Sequence, residues 1–324
     1  MNDWSRRANA PAIAFPAHWT YASGDTIAGR YRLTERVGRG GYGEVWAADD
    51  VVLNGRVAIK LCRPLPLSPA DDTIERVADR LRGEARVSEQ LARKTTGIVR
   101  VLDVGSDERG AYMAMELVDG CPLDRMIAKE SPLEPKRVSS ILTKLADVLA
   151  VVHAEGFIHC DVKPANVMVV LDAEGNESIK LADFGLAIAT GTLLGPGYPS
   201  NTAHGPIWGT PNYLSPEQIE DRCMGTHTDL WALAVMAYEA LVGKVPFEGQ
   251  SALQTMFAIM TRRYVHISRM RRDLPKDLDD WFTQAFAETP NRRFRSPVAM
   301  MRAFDECLRN DTTVPPALKI PEEP

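Results

Sequence analysis

Several features that would assign this 324-residue chain to a specialised class of protein are missing from its sequence. No segment reaches the ~18 uninterrupted apolar residues of a membrane-spanning helix. The nearest approach, residues 230–242, contains Tyr238 and Glu239 and predicts a buried core helix. The first 20 residues include Arg6 and Arg7 but no apolar segment. A secretory signal and a membrane anchor are therefore not expected.

Patterned cysteines and an excess of basic charge are also missing. The five cysteines are scattered and odd in number, with no Cys-x-x-Cys pair, which argues against a disulfide framework and a zinc knuckle. We expect reduced thiols and a cytoplasmic protein. The net charge of −5 argues against a nucleic-acid partner, which would require a basic face. Hydrophobic content of 45 % and charged content of 25 % are typical of a soluble globular protein.

A glycine-rich hairpin is predicted near the start of the periodic part of the chain. Residues 31–37 alternate in polarity, Gly38, Gly40 and Gly43 follow, and residues 44–47 have the composition of a second strand. The G-x-G-x-x-G spacing also occurs in dinucleotide-binding folds, but there the glycines open a helix. Here they lead into β-branched and aromatic residues, which favours a hairpin whose backbone can cover phosphates. An ordinary tight turn is the alternative reading of this motif taken alone.

A lysine at the end of the next strand is a candidate functional residue. Lys60 follows the apolar residues 57–59, and without an acidic partner it would be a solvated edge charge. That partner is expected on an amphipathic helix predicted over residues 71–93. Glu84 and Glu89 flank the apolar stripe of this helix on opposite sides, so periodicity does not choose between them. Distance to the later strand favours Glu84.

Two loops in the second half carry residues suited to phosphoryl transfer. In the first, Asp161 follows a short β-type run, with Lys163 and Asn166 two and five residues later. Such a loop can hold a base beside a hydroxyl, a cation on a phosphate and an amide oxygen on a metal. In the second, Asp183-Phe184-Gly185 follows a predicted strand over residues 179–182.

The remaining elements are predicted from periodicity and composition. A break at residues 119–122 indicates a hinge. A strongly amphipathic helix over residues 135–155 would support the Asp161 loop rigidly. Strands are predicted at 97–104 and 111–116, and helices at 229–241, 250–262, 277–287 and 297–309. A group of arginines could dock an acidic partner or be a solvated face; its members are Arg262, Arg263, Arg269, Arg271 and Arg272.

Each motif is weak or moderate alone, but together they are specific. They occur once each and in one order: the glycine-rich hairpin, the Lys60 strand, the 159–166 loop, 183–185, and the 209–217 segment that closes an irregular stretch. This set resembles the signature of protein kinases over residues 24–309. Lys163 and the Gly-Thr-x-x-Tyr-x-x-Pro-Glu pattern are more similar to Ser/Thr kinases than to tyrosine kinases. The chain is thus identified as a member of the Ser/Thr kinase type found in bacteria as well as eukaryotes.

The resemblance implies an α+β, two-lobed fold. A small antiparallel β-sheet lobe with one helix is expected over residues 24–117, and a larger, mainly helical lobe over residues 120–309. Residues 1–23 are expected to form an N-terminal extension. Residues 310–324, with four prolines and three acids, are expected to be a flexible tail.

The resemblance also assigns the catalytic residues. The expected reaction moves the γ-phosphate of Mg-ATP to Ser or Thr hydroxyls of proteins, with autophosphorylation included. Asp161 would orient the hydroxyl and accept its proton, while Lys163 would steady the γ-phosphate. Asn166 and Asp183 would bind Mg²⁺ through hard oxygen ligands. Protein substrates are the implied partners, and family analogy suggests a homodimer through contacts between small lobes.

ATP binding is expected to fall mostly to the small lobe. Lys60, paired with Glu84, would hold the α- and β-phosphates. The other ATP contacts implied by the resemblance are those of the glycine loop and of the adenine pocket: Val37, Gly38, Gly40, Gly43, Val45, Ala58, Met115, Glu116 and Val118.

One departure from the family pattern bears on regulation. Cys160 stands where most of the family has an arginine that neutralises a phosphorylated activation segment. We therefore expect activity without that phosphorylation, although Thr190, Thr192, Ser200 and Thr202 could still be autophosphorylated. Glu217 and Arg293 match the family's structural ion pair, and His159 is expected to be a scaffold residue.

Two further alternatives use the same fold. A pseudokinase usually loses one of Lys60, Asp161 and Asp183, and all three are present here. A small-molecule phosphotransferase of the antibiotic-kinase type would lack the 209–217 segment, which shapes a peptide groove. Both readings therefore account for less of the sequence than a protein kinase does.

Overall fold

The computed structural model describes residues 21–40, 43–64, 73–190, 211–220 and 224–309. The described chain divides into two compact units. The first contains the residues up to Asp119 together with Ala182–Ala187. The second contains the residues from Gly120 to Leu181, then 188–190, and those from Asn212 onward. In the part described, no helix combines the length and apolarity that a membrane span requires.

Strands dominate the first unit and helices the second. The strands are β1 Thr26–Ile27, β2 Tyr31–Gly40, β3 Gly43–Asp50, β4 Gly55–Cys62, β5 Val101–Asp107, β6 Gly110–Glu116, β7 Cys121–Pro122, β8 Phe157–Ile158, β9 Val167–Leu171, β10 Glu177–Leu181 and β11 Ile188–Ala189. The helices are α1 Ile74–Ala92, α2 Leu123–Glu130, α3 Pro135–Ala154, α4 Pro216–Ile219, α5 His227–Val242, α6 Ala252–Met260, α7 Ile267–Met270, α8 Asp277–Ala285 and α9 Pro297–Arg309.

The first unit is built on a six-stranded antiparallel sheet in the order β1-β2-β3-β4-β6-β5. Side chains of β4 alternate between two apolar clusters, as a strand buried on both faces requires. Val57, Ile59 and Leu61 belong to a cluster with strands β1 to β3. Cys62 lies on the opposite face, in the cluster formed with α1. Because Lys60 is two residues from Cys62, its side chain is on the α1 face.

Helix α1 begins three residues later than the sequence predicts. Thr73 is its N-cap, and its hydroxyl accepts a hydrogen bond from the backbone N–H of Arg76. Such a cap fixes the first turn because the initial N–H groups have no partner inside the helix. The buried face is the predicted apolar stripe, and Glu84 lies within that face.

Part of the segment predicted as an N-terminal extension is packed against the first unit. Tyr21 is buried within the β1–β4 cluster. The guanidinium carbons of Arg63 and Arg109 lie 4.9 Å and 4.7 Å from the centre of its ring, within the range of cation–π contacts. The sequence gives no sign of this because the three residues are far apart in the chain.

The second unit is organised around α3 and α5. Glu134 caps α3 by accepting from the N–H of Arg137, and Pro135 occupies the first turn, where its missing N–H costs nothing. Helix α5 is buried on nearly all sides and ends at Gly243 in the left-handed conformation, with φ of 80°. Both helices lie within two residues of their predicted bounds.

Two local features differ from the sequence-based expectation. Strand β5 begins at Val101 rather than at residue 97. Its partner β6 ends at Glu116, whose N–H donates to the carbonyl of Arg100. Residues before Arg100 therefore have no partner strand on β6. Helix α2 follows the predicted hinge directly and buries Leu123 and Met126. The neighbouring Gly and Pro residues favour a turn in the sequence, and the helix is too short for its period to stand out.

Candidate active site

The first unit brings together one lysine and two carboxylates that are predicted from the sequence as site residues. The ammonium of Lys60 lies 2.9 Å and 3.0 Å from the two carboxylate oxygens of Glu84. It also lies 2.9 Å from Oδ1 of Asp183. Glu89, the alternative partner, is exposed and pairs with Arg93 at 2.6 Å. The contact of Lys60 is therefore with Glu84.

Burial sets the electrostatics of this cluster. The side chains of Lys60 and Glu84 are 14 % and 5 % exposed. Burial by itself would lower the pKa of Lys60, but the charges of Asp183 and Glu84 outweigh it and raise that pKa. Burial raises the pKa of Glu84 to about 7; the ammonium opposes this rise and the Asp183 carboxylate adds to it. One cation thus faces two carboxylates in a poorly hydrated place.

The backbone at Asp183-Phe184-Gly185 is unusual. Asp183 has φ of 67°, in the left-handed region that non-glycine residues rarely adopt. Phe184 is buried and anchors the segment. A Cβ added at Gly185 would lie 3.2 Å from both Oδ1 of Asp183 and Oε2 of Glu84, so a side chain there would crowd the carboxylates. Strain of this kind is common at functional sites.

The loop after β8 places two predicted residues, Lys163 and Asn166, around the carboxylate of a third, Asp161. Lys163 donates to Oδ2 of Asp161 at 2.6 Å. The side-chain amide of Asn166 donates to the same oxygen at 3.2 Å and to the backbone carbonyl of Asp161 at 2.9 Å. Asn166 is held by a 3₁₀ turn over Pro164–Asn166. Within the described chain, the side-chain hydrogen bonds of Asp161 are made to Oδ2, and Oδ1 accepts none.

Asp229 anchors the backbone of this loop, and its role is not among the sequence-based predictions. Its buried carboxylate accepts from Nε2 of His153 at 2.7 Å and from the backbone N–H groups of His159 and Cys160 at 3.0 Å and 2.9 Å. Burial would raise the pKa of Asp229, but these hydrogen bonds lower it. The sequence offers only a weak signal, an acid in the first turn of a mostly apolar helix.

His159 has the scaffold position expected for it. Its side chain is fully buried, and Nδ1 accepts a hydrogen bond from the backbone N–H of Asp161 at 3.2 Å. Cys160 has φ of 65°, and its carbonyl accepts from the side chain of Gln218 at 2.8 Å. The ring therefore fixes the backbone that carries the candidate base.

The predicted adenine-pocket residues of the strands share one face of the sheet. Val45 is the register partner of Lys60, and Ala58 is that of Met115, and such partners project to the same side. The N–H of Glu116 already donates to the carbonyl of Arg100 at 2.9 Å, so this group is not free to meet a base. The remaining predicted contacts, Val37 and Val118, are partly exposed and half-buried, respectively.

The glycine-rich hairpin shows why one of its glycines is required. Gly43 has φ of 155°, and an added Cβ would lie 1.8 Å from the carbonyl oxygen of Leu61. No other residue fits that position. A Cβ added at Gly38 would meet nothing within 4 Å, so backbone on this strand is open to a ligand. Gly40 ends β2, and residues 41–42 lie outside the described ranges.

The end of the predicted peptide-groove segment is held by an ion pair. Arg293 donates to both carboxylate oxygens of Glu217, at 2.8 Å and 2.9 Å. Thr228 donates to Oε1 of the same carboxylate at 3.1 Å. Gly209 and Thr210 lie outside the described residues, as do three of the candidate autophosphorylation sites, Thr192, Ser200 and Thr202.

Each unit contains an oxygen donor of the kind that a divalent cation binds, Asp183 in the first unit and Asn166 in the second. Among the described residues, no three His, Cys, Asp or Glu side chains form a preformed metal site. Mg²⁺ usually takes one or two carboxylates together with substrate phosphates and water. Asn166 uses only its amide nitrogen in its hydrogen bonds, which leaves its oxygen for such an ion. Asp183 is 40 % exposed, so its carboxylate is accessible.

Comparison with known proteins places the chain in a family. Residues 31–305 match the family described as protein kinase domain. The chain is 30 % identical over 292 residues to serine/threonine-protein kinase PrkC of Bacillus subtilis, covering 89 % of this chain and 42 % of PrkC. It is 32 % identical over 313 residues to serine/threonine-protein kinase PknA of Mycobacterium tuberculosis, covering 92 % of this chain and 67 % of PknA.

A third relative gives the same result. Serine/threonine-protein kinase PknL of Mycobacterium tuberculosis is 32 % identical over 271 residues, covering 84 % of this chain and 64 % of PknL. The chain therefore spans less than half of PrkC and about two thirds of PknA and PknL.

Protein kinases use ATP and a divalent metal. The predicted two-lobed fold and the predicted enzyme class are confirmed, and this chain belongs to the protein kinase domain family, among relatives that are serine/threonine-protein kinases.

Proposed function

We propose that this chain transfers the γ-phosphoryl group of ATP to Ser and Thr hydroxyls of proteins, its own included. The observation that carries the proposal is the geometry of the Asp161 loop. Lys163 and Asn166 both bind Oδ2 of this carboxylate, and Oδ1 is left to a hydroxyl. A carboxylate held in this way can orient a nucleophile and take up its proton.

When bound, Mg-ATP would supply the transferable phosphoryl group and neutralise the charge that spreads over it in a loose transition state. The chain's own residues would hold and align this group. The ammonium of Lys60 would bind the α- and β-phosphates while Glu84 keeps it in place. Asn166 and Asp183 would provide oxygen ligands to Mg²⁺. The ammonium of Lys163 would lie beside the γ-phosphate and limit repulsion between it and Asp161.

The proton of the substrate hydroxyl would pass to Asp161. The carboxylate is 26 % exposed and Lys163 is 35 % exposed, so a protein side chain can approach both groups. The hydrogen bond from the N–H of Asp161 to His159 and the anchoring of the loop by Asp229 fix the carboxylate before a substrate arrives. Such preorganisation lowers the cost of aligning the reacting groups.

The decisive experiment is a labelling assay with a matched variant. Purified protein is incubated with Mg²⁺ and γ-labelled ATP beside Asp161→Asn, which preserves shape but removes the basic carboxylate. We expect label on Ser and Thr residues with the wild type and a loss of about 10²-fold or more with the variant. Equal labelling of both proteins would show that Asp161 is not the base. Label on tyrosine alone, mapped by mass spectrometry, would contradict the Ser/Thr assignment.

The metal and the assembly have separate tests. Omission of Mg²⁺ or its replacement by Ca²⁺ should abolish turnover, since Ca²⁺ favours larger and more irregular coordination. We also propose a homodimer through the small lobe, supported by the exposed apolar turn of Val51, Val52 and Leu53 between β3 and β4. Sedimentation velocity with Leu53→Asp tests it. The cytoplasmic location predicted from the sequence remains a prediction.

A further inference from the structure

Helix α6 of the second unit presents an apolar face to solvent. The only buried side chains of this helix are Thr255 and Ile259, four residues apart. Leu253 and Phe257, also four residues apart, are 75 % and 60 % exposed. Because each turn takes 3.6 residues, the two pairs lie on opposite sides of the helix.

The exposed side is a continuous apolar stripe. Met256 and Met260 complete the i, i+3, i+4, i+7 pattern that begins at Leu253, and both are partly buried. The helix has no charged residue. An apolar stripe at this spacing normally faces a core, and a helix that is apolar all round is normally buried. A stripe left at the surface marks an interaction site.

Unpaired positive charge follows this stripe in the chain. Helix α6 ends in a Schellman turn: Arg262 has φ of 52°, and the N–H of Arg263 donates to the carbonyl of Ala258 at 3.0 Å. This turn places Arg263 directly at the end of the helix. Its side chain is exposed and has no acidic partner among the described residues.

The other arginines of the group divide into two kinds. Arg262 pairs with Glu288 at 3.2 Å, and Arg271 donates to the backbone carbonyls of Leu133 and Leu241. These two therefore serve the fold. Arg269 and Arg272, like Arg263, are exposed and form no ion pair within the described chain, although the whole chain has a net charge of −5.

We propose that the α6 face, defined as Leu253, Met256, Phe257, Met260 and Arg263, docks an acidic, apolar segment of the protein substrate outside the site of phosphorylation. The apolar stripe would bind apolar side chains of that segment, and Arg263 would pair with a carboxylate. This inference rests on the proposed protein kinase activity.

Charge and size favour a substrate over a second copy of the chain. Exposed arginines that form no ion pair within the described chain attract an acidic segment. A face of four apolar side chains is also far below the ~1,000 Å² that a stable interface buries. A weak contact suits a substrate, which must leave after each turnover. The alternative is an antiparallel pairing of two α6 helices, with Glu248 of one against Arg263 of the other.

The test separates docking from chemistry. The probe is dephosphorylated β-casein, an acidic and apolar protein, beside a short peptide cut from it around the phosphorylated residue. The double variant Leu253→Asp with Phe257→Asp should raise KM for casein at least tenfold, leave kcat unchanged, and leave kcat/KM for the short peptide unchanged. The Kd of fluorescein-labelled casein, measured by anisotropy without ATP, should rise by the same factor.

Matched controls exclude a general effect of surface charge. Leu171 is 63 % exposed at the end of β9, and Leu171→Asp should change none of these values. Arg263→Glu should raise KM for casein severalfold, whereas Arg302→Glu, at an exposed position on α9, should not. All variants should unfold at the wild-type urea midpoint because the altered side chains are at the surface.

Three outcomes would overturn the inference. An unchanged KM and Kd for casein in the double variant would show that the face does not bind such a segment. A parallel loss of kcat/KM for the short peptide would indicate damage to the catalytic site. A wild-type dimer in sedimentation velocity that the double variant abolishes would assign the face to a second copy. Absence of any labelling by the wild type would instead contradict the proposed function, and the anisotropy measurement would still decide the docking question.

Discussion

Two buried ion pairs in this protein differ in how completely the chain itself satisfies them. The first is Arg293 with Glu217, whose side chains are 0 % and 5 % exposed. The guanidinium binds both carboxylate oxygens, donates to the carbonyls of Ala287 and His227, and lies 4.8 Å from the centre of the Trp231 ring. Burial would raise the pKa of Glu217, but the hydrogen bonds from Arg293 lower it.

The second pair, Lys60 with Glu84, has an excess of negative charge. Asp183 brings a second carboxylate to the same ammonium, so one positive charge faces two negative ones. Burial raises the pKa of Glu84 to about 7. The charge of Lys60 opposes this rise, and the charge of Asp183 adds to it. The side chain of Asp183 is also 40 % exposed, unlike any part of the first pair.

The difference separates a structural ion pair from a candidate functional one. A buried pair stabilises a fold only when every charge and hydrogen bond is satisfied, and the first pair meets this condition. The second holds two carboxylates on one ammonium, and one of them, Asp183, lies at an accessible position where a divalent cation and phosphate could bind. Perturbed carboxylates with specific charged partners are typical of functional sites.

The largest expected effect is on stability, at the pair formed by Arg293 and Glu217. Arg293→Met should lower the free energy of unfolding by about 3–5 kcal/mol, because it leaves the carboxylate of Glu217 buried without a cation. Urea unfolding followed by circular dichroism measures this. Arg309→Met is the matched control: this arginine is 75 % exposed and pairs with Asp305 at the surface, so its loss should cost less than about 1 kcal/mol. Equal losses in the two variants would show that the buried pair does not stabilise the fold.

The next largest effect is on catalysis, at the pair formed by Lys60 and Glu84. Lys60→Met should lower kcat/KM by about 10²- to 10³-fold, since a preorganised charge on the phosphates is lost. Its effect on unfolding should be well below that of Arg293→Met, because Glu84 can take up a proton when the ammonium is removed. Steady-state kinetics and urea unfolding on the same preparation test both statements. Retention of more than a tenth of the activity would contradict the role proposed for Lys60.

The third effect is a dependence of stability on pH. The pKa of Glu84 is about 7 in the folded chain against an ordinary value of 4.5. Between these values the folded state holds a proton that the unfolded state has released, so the free energy of unfolding falls as pH rises from about 4.5 to about 7. The shift corresponds to about 3 kcal/mol at most. Glu84→Gln removes this titration and should be less sensitive to pH over the same range.

A residue of the same helix provides the control for this titration. Glu89 is 60 % exposed and pairs with Arg93 at the surface, so Glu89→Gln should leave the dependence of unfolding on pH as in the wild type. Urea unfolding at pH 5, 6, 7 and 8 suffices. Parallel curves for Glu84→Gln and the wild type would show that Glu84 does not carry the excess charge of the cluster.

The same contrast explains how much could be predicted from the sequence. The alternation of Val57, Ile59 and Leu61 predicts β4, and the 3.6-residue stripe predicts α1, because both patterns report which face is buried. Residue types at fixed spacing also indicate the Asp161 loop. These signals are local. They indicate which side chains could take part in phosphoryl transfer, but not the distances between those side chains in the folded chain.

Contacts between distant residues could not be predicted from periodicity or composition; the Lys60–Glu84 and Glu217–Arg293 pairs were expected only from the resemblance to protein kinases. Lys60 and Asp183 are separated by 123 positions, and no periodicity indicates that the second carboxylate joins the first pair. Likewise, Asp229 lies in the first turn of α5, where an acid is ordinarily read as favourable to the helix dipole. Only the fold shows that it binds the backbone of His159 and Cys160 instead. Packing decides such contacts, and sequence patterns do not encode it residue by residue.

The environment of Cys160 leads to the smallest expected effect. Its thiol is buried and donates to the carbonyl of Ile158 at 3.7 Å. Burial, together with the charge of Asp229, raises the pKa of this thiol, so the group stays neutral. A neutral thiol cannot attract a phosphorylated residue as an arginine would.

Activity should therefore be nearly independent of phosphorylation in the activation segment. Thr190 is exposed beside β11, and the other candidate positions are Thr192, Ser200 and Thr202. Replacement of all four by alanine should change kcat/KM by less than about threefold, a difference below ~0.7 kcal/mol in the barrier. Wild-type protein treated with a phosphatase and then assayed in its first turnovers is the control, and it should match the variant. Loss of turnover in the variant alone would mean that the hydroxyls themselves are needed. Loss of turnover in both proteins would mean that the phosphate is required and that a basic residue elsewhere in the chain binds it. Either result would contradict the argument from Cys160.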